Sequence, residues 1–156
     1  GLFDRGLPGT LLGPQGPVRI SEGIAELVAH GASIVAGGRE IEGPRCAFAN
    51  TLLRAPGAAF LAHPHALQTE AFGTVNLVVV ADTADELVAI AGSLEGNLTG
   101  SIYSDVAGSD DELYRRVEPV LRQKVGRLLN DKMPTGVAVV PAMNHGGPFP
   151  ATGHPG

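Results

Sequence analysis

The sequence predicts an α/β domain built on a mostly parallel sheet, and two observations carry that expectation. Apolar runs that read as strands alternate with segments of helical period along most of the chain, the pattern of right-handed βαβ units. The clearest strand, in VNLVVVADT from Val75, is β-branched almost throughout, as in a sheet covered on both faces.

The elements follow in order. Residues 1–17 are rich in Gly and Pro and carry no periodic pattern, so they are expected to be loop. In ISEGIAELVAHG the apolar positions Ile20, Ile24, Leu27 and Val28 lie at helical spacing, with Ser21 as the expected N-cap and Gly31 as the stop. SIVAGG reads as a short buried strand closing in a glycine turn, and AFANTLLRA as a second strand. After Val75–Thr83 comes the helix TADELVAIAGS, capped by Thr83 with Glu86 three places on, and ended by Gly92. LTGSIYSD supplies a strand from Thr99 to Ser104. DDELYRRVEPVLRQ is amphipathic, with early acids and late basic residues that complement the helix dipole. Pro119 inside it is expected to kink or restart the helix. KVGRLLND and TGVAVVPA supply two further strands.

Composition bounds the partners. The 156 residues are expected to form one domain spanning 1–156, with no internal repeat and no dividing linker. A net charge of −5, without a basic run, argues against nucleic acid. No apolar run approaches the ~20 residues that span a bilayer, and no signal peptide is visible, so no membrane partner and a cytoplasmic location are expected. The single cysteine, Cys46, rules out an internal disulfide and any thiolate cluster, and fits a reducing compartment. The chain opens without Met, and both Gly/Pro-rich ends look cut, so a fragment of a longer protein is expected.

The generic catalytic signatures are missing: no GxGxxG after a strand, no GxxxxGK[ST], no GxSxG. Cys46, beside Arg45 in a turn leading into a strand, reads as a structural cysteine rather than a nucleophile. His63 and His65 flank Pro64, which weakens the one-face geometry a metal needs, and His145 and His154 stand near the C-terminus; loop histidines are the favoured reading. The acids Asp110, Asp111 and Glu112 are explained by a helix start. There remains TEAFGTV, Thr69 to Val75. A carboxylate there can accept charge-assisted hydrogen bonds from two vicinal ribose hydroxyls. An aromatic ring two residues later can flank a flat heterocycle, and a glycine lets the backbone pass close by.

The order of these segments resembles the aldehyde dehydrogenase superfamily over nearly the whole chain. ISEGIAELVAHGASIVAGG is similar to that family's helix, strand and Gly-Gly turn. AFANTLLRA is similar to its Pro-Thr-Leu-Leu segment, with Asn50 in place of proline. HALQTEAFGTV resembles its Glu-x-Phe-Gly-Pro-Val signature, with Thr74 in place of proline, and GNLTGSIYSD resembles the segment that follows. MNHGGPFPATG matches the family's Pro-Phe-Gly-Gly loop loosely and resembles the branch acting on 2,5-dioxopentanoate, the α-ketoglutarate semialdehyde.

The resemblance implies a three-layer α/β/α catalytic domain in an enzyme that oxidises a small aldehyde to the acid with NAD or NADP, through a cysteine thioester. By motif position, Glu70 would bind the nicotinamide ribose, Phe72 would pack near the nicotinamide, and Phe149 would lie near the substrate entrance. The nucleophilic cysteine, the base and the oxyanion asparagine would all precede residue 1, so no catalytic residue is expected here and the isolated chain is expected to be inactive. The parent enzyme is expected to be a homo-oligomer, through a strand beyond residue 156. The competing expectations are a metal-binding module using His63, His65 and His145, or a scaffold domain without catalysis.

Overall fold

The computed structural model describes residues 8–43 and 45–133. Two compact units divide at Asp82/Thr83.

In the first unit the order is β1 (Gly9–Thr10), α1 (Gln15–Ala29), β2 (Ser33–Ala36), β3 (Glu40–Ile41), β4 (Ala47–Phe48), β5 (Thr51–Pro56), α2 (Gly57–Ala62), a 3-10 turn at Ala66–Gln68, and β6 (Val75–Val80). β5 is the central strand of a three-stranded sheet, pairing β2 antiparallel and β6 parallel. β1, β4 and β3 form a small antiparallel sheet. One face of β5 is sealed, because Thr51, Leu53 and Ala55 alternate inward at 0% exposure. α1 contributes Ile20, Ile24 and Leu27 to the same unit's core, with Phe48, Phe60 and Leu67. Each large apolar side chain so buried contributes roughly 2 kcal/mol of hydrophobic free energy.

The second unit holds α3 (Ala84–Ser93), β7 (Asn97–Ile102), α4 (Asp111–Arg122) and β8 (Val125–Asn130). β7 and β8 pair in parallel. α3 and α4 pack together, and α4 lies on both strands around Ile90, Val117, Val125 and Leu129.

The α/β class holds, and the two longest ladders, β5/β6 and β7/β8, are parallel as expected; the short strands are antiparallel. Several elements differ from expectation. α1 starts six residues before Ser21, at Gln15 after Pro14, and strand β1 lies in what reads as loop. Prolines in the stretch are no obstacle, because Pro17 sits in the first turn, where amides lack intrahelical partners anyway. Gly31 ends α1 as expected: at φ +105° it allows the Ala32 amide to bond Leu27 O and its own amide to bond Val28 O, a Schellman closure.

SIVAGG is not buried. β2 is an edge strand with Ile34 and Val35 about half exposed, and β6 is covered on only part of its surface. AFANTLLRA is two strands, broken at Ala49–Asn50. Helix α3 runs one residue past Gly92, and β7 begins at Asn97 rather than Thr99. α4 continues through Pro119, which lies on an exposed position where the forfeited backbone bond faces water. The Thr83 cap forms, its hydroxyl accepting the Glu86 amide at 3.1 Å. TGVAVVPA lies outside the described residues.

Candidate cofactor-binding edge

The turn from Thr69 to Thr74 connects the 3-10 turn to β6, and its chain alternates. Ala71 and Gly73 face α1. A Cβ on Gly23 of α1 would lie 2.9 Å from the Ala71 Cβ, and a Cβ on Gly73 would run into the Ile20 side chain, which is fully buried. Small residues on both sides let the turn lie directly on the helix. Its far end is held by a backbone hydrogen bond, the Thr51 amide donating to Thr74 O at 2.8 Å. With Ala71 and Gly73 turned inward, Glu70 and Phe72 lie on the exposed side, Phe72 at 69% exposure. Among the described residues, Glu70 has no hydrogen bond or ion pair, so its carboxylate oxygens are open to a ligand.

Phe72, Gly73 and Thr74 form one wall of a cleft of about 480 Å³. The opposite wall is the segment from Gly9 to Gly16 and Arg19 of α1. Neither Arg19 nor the Gly9–Gly16 segment carries a site signal in the sequence, because residues 1–17 show no periodic pattern and the expected N-cap, Ser21, lies beyond Arg19. Thr74 adds a further feature: its Oγ1 is buried with no hydrogen-bond partner among the described residues, and its methyl group packs against the Gly9 backbone. The hydroxyl is thus an unpaired polar atom behind the cleft wall, where proline of the signature would have none.

The remaining candidates lie elsewhere. Cys46 is half-buried in the small antiparallel sheet region, and its carbonyl accepts the Leu11 amide at 2.7 Å. His63 closes α2 and His65 precedes the 3-10 turn; His63 meets not His65 but His30, edge to face at 5.1 Å between ring centroids. His30 Nδ1 lies 2.9 Å from Glu26 O. Among the described residues no group of three His, Cys, Asp or Glu side chains is arranged to hold a metal ion, and no helix is long and apolar enough to cross a membrane. Phe149, His145 and His154 lie outside the described residues.

Phe72 lines the cleft and Glu70 lies outside its lining, in a unit of the α/β class that comparison with known proteins narrows. No family model matches the chain. It is 40% identical over 146 residues to alpha-ketoglutaric semialdehyde dehydrogenase 2 of Azospirillum brasilense, covering 88% of this chain and 27% of that protein. It is 39% identical over 101 residues to alpha-ketoglutaric semialdehyde dehydrogenase of Acinetobacter baylyi, covering 65% of this chain and 19% of that protein. Among solved structures, lactaldehyde dehydrogenase from Escherichia coli superposes with a TM-score of 0.63 at 26% identity, over 83% of this chain and 25% of that one. The chain belongs to the aldehyde dehydrogenase superfamily. It spans about a quarter of the length of the relatives it matches.

Proposed function

We propose that this chain is the part of an NAD(P)-dependent aldehyde dehydrogenase that presents one wall of the nicotinamide pocket, in a cytoplasmic enzyme that oxidises a small semialdehyde, of the 2,5-dioxopentanoate type, to its carboxylic acid. The observation that carries this reading is the outward pairing of Glu70 and Phe72 on a turn whose inward residues are small. The fit to a nicotinamide nucleotide is chemical: an unengaged carboxylate suits vicinal hydroxyls, and an open ring suits a planar heterocycle. When bound, NAD or NADP supplies the hydride acceptor for aldehyde oxidation.

The residues of this chain then have three tasks. Glu70 would accept hydrogen bonds from the ribose hydroxyls of a bound cofactor. Phe72 would pack beside its nicotinamide and keep water from that side. Gly73, without a side chain, lets the turn lie on α1 and so keeps Phe72 where it stands. None of these residues attacks the carbonyl or moves a proton. The nucleophile and base are supplied by the remainder of the enzyme, and the parent enzyme acts as a homo-oligomer. Phe149, by motif position, borders the substrate entrance.

The test uses the full-length enzyme. Glu70→Gln and Phe72→Ala each should raise the cofactor KM by about tenfold, the effect of one lost charge-assisted bond or ring contact, with the aldehyde KM little changed. Unchanged cofactor KM and unchanged hydride transfer in both variants would remove the assignment. The 156-residue chain incubated with NAD or NADP and an aldehyde should form no reduced cofactor. Turnover that disappears in Cys46→Ala would overturn the reading.

A further inference from the structure

Thr51 is the one buried polar residue among those described, at 0% exposure, and it makes three hydrogen bonds that point in different directions. Its hydroxyl accepts the Gly38 amide at 2.9 Å and donates to Ala49 O at 2.8 Å. Its own amide donates to Thr74 O at 2.8 Å. The Gly37–Gly38 turn closes on this residue: both glycines have positive φ, and a Cβ on Gly37 would run into Asn50 O while lying 2.8 Å from the Thr51 hydroxyl. The Gly-Gly turn and the Asn-Thr-Leu-Leu segment are 13 residues apart in the pair Gly38–Thr51, yet they form one fixture. The output of that fixture is an amide aimed at the residue that ends the Glu70–Thr74 turn.

Resting on the cofactor reading above, we infer that Thr51 is a positioning residue for the nicotinamide wall: its hydroxyl, clamped by the Gly38 amide and Ala49 carbonyl, fixes the amide that holds Thr74 and thereby sets where Phe72 stands. Thr51 touches neither cofactor nor substrate. A hydroxyl at this buried point fulfils both halves of the clamp because it donates and accepts at once. Valine has the same shape but would leave a part-buried amide and a part-buried carbonyl without this partner.

The experiment compares Thr51→Val and Thr51→Ser in the full-length enzyme, by amide hydrogen exchange and by steady-state kinetics. Thr51→Val should speed exchange at the Gly38 amide and at the amide of residue 51, the donor to Thr74 O, by about tenfold relative to β7 and β8, and raise the cofactor KM by about fivefold with a smaller change in kcat, on the scale of one net hydrogen bond. Thr51→Ser, which keeps the hydroxyl, should restore both. Should Thr51→Val fail to fold, Thr51→Cys, with a weaker donor and acceptor, should give intermediate values of the same two readouts.

Exchange that rises uniformly, β7 and β8 included, or a serine variant that rescues neither readout, would overturn the inference. So would a normal cofactor KM in Thr51→Val when Glu70→Gln and Phe72→Ala raise it. If instead all three variants leave the cofactor KM unchanged while exchange at the amides of residues 38 and 51 still rises in Thr51→Val alone, the cofactor reading is what fails, and the hold on Thr74 stands.

Discussion

Two turns in this molecule are built from acids and small residues next to a parallel strand, and they are held in opposite ways. The turn at 69–74, ahead of β6, is held by packing: Ala71 and Gly73 lie against α1, and a single backbone bond fixes Thr74. The turn at 103–111, after β7, is held by its carboxylates. Asp105 accepts the Ala107 amide at 3.1 Å and the Ser109 hydroxyl at 2.5 Å, and Asp110 accepts the Asp105 amide at 3.0 Å. Asp131, itself at φ 50°, accepts the Ser104 amide at 2.9 Å. In α4 and α3 the acids are likewise engaged: Glu112 with Arg115 at 2.9 Å, Glu118 with Arg122, and Asp85 with Arg116. Those exposed pairs contribute little stability each. The lesson is about availability. An acid that closes its own loop is tied to that loop's amides and hydroxyls, whereas a turn held by its small residues leaves its acid unengaged.

Breaking the packed turn should have the larger effect. Gly73→Ala places a methyl group into the Ile20 side chain, and Ile20 is fully buried, so it can yield only by disturbing the core. Overpacking of this kind costs about 1–3 kcal/mol. Urea unfolding should show a loss of about 2 kcal/mol. A loss below a few tenths would mean that the turn does not depend on close approach to α1.

How far this was legible in the sequence follows from the same contrast. The Thr83 cap and the Gly31 stop are local signals, and both form where the residues place them. The start of α1 was not legible, since residues 1–17 are rich in Gly and Pro and carry no periodic pattern, although the first turn of a helix tolerates proline. The exposure of Ile34, Val35 and Val78 was also hidden, because an apolar, β-branched run looks the same whether its face is covered within these residues or not. For the site, TEAFG stands out as a string, but its alternation is set by Gly23 and Ile20, some fifty residues earlier. Likewise no local pattern joins Gly38 to Thr51, or Arg19 to Phe72 across the cleft.

A capping change in the second unit sharpens the comparison at smaller scale. Thr83→Ala removes the acceptor of the Glu86 amide at the start of α3. Thermal unfolding should report a loss of about 1 kcal/mol, the usual worth of such a cap. Amide exchange should rise at Glu86 and Leu87 while the Thr51 amide, which holds Thr74 O, stays as it was. Equal loosening of both segments would mean that the packed turn depends on the second unit's polar contacts after all.

The smallest effect concerns pH and separates the two turns most directly. The Ser109 hydroxyl, followed by the Ala107 amide, holds the Asp105 carboxyl below its ordinary value of 3.8. A depressed carboxyl contributes to the folded loop at pH above that ordinary value, and the contribution is lost as pH falls through the folded value. Amide chemical shifts of Ala107 and Ser109 should therefore move together only below about pH 3.8, and Asp105→Asn should abolish that movement. The amides of Phe72, Gly73 and Thr74, whose turn is closed by no carboxylate, should stay in place through the same step. Movement of both sets with a common midpoint would show that the turn at 69–74 also relies on an acid, and the distinction between a loop-closing carboxylate and a ligand-facing one would then fail.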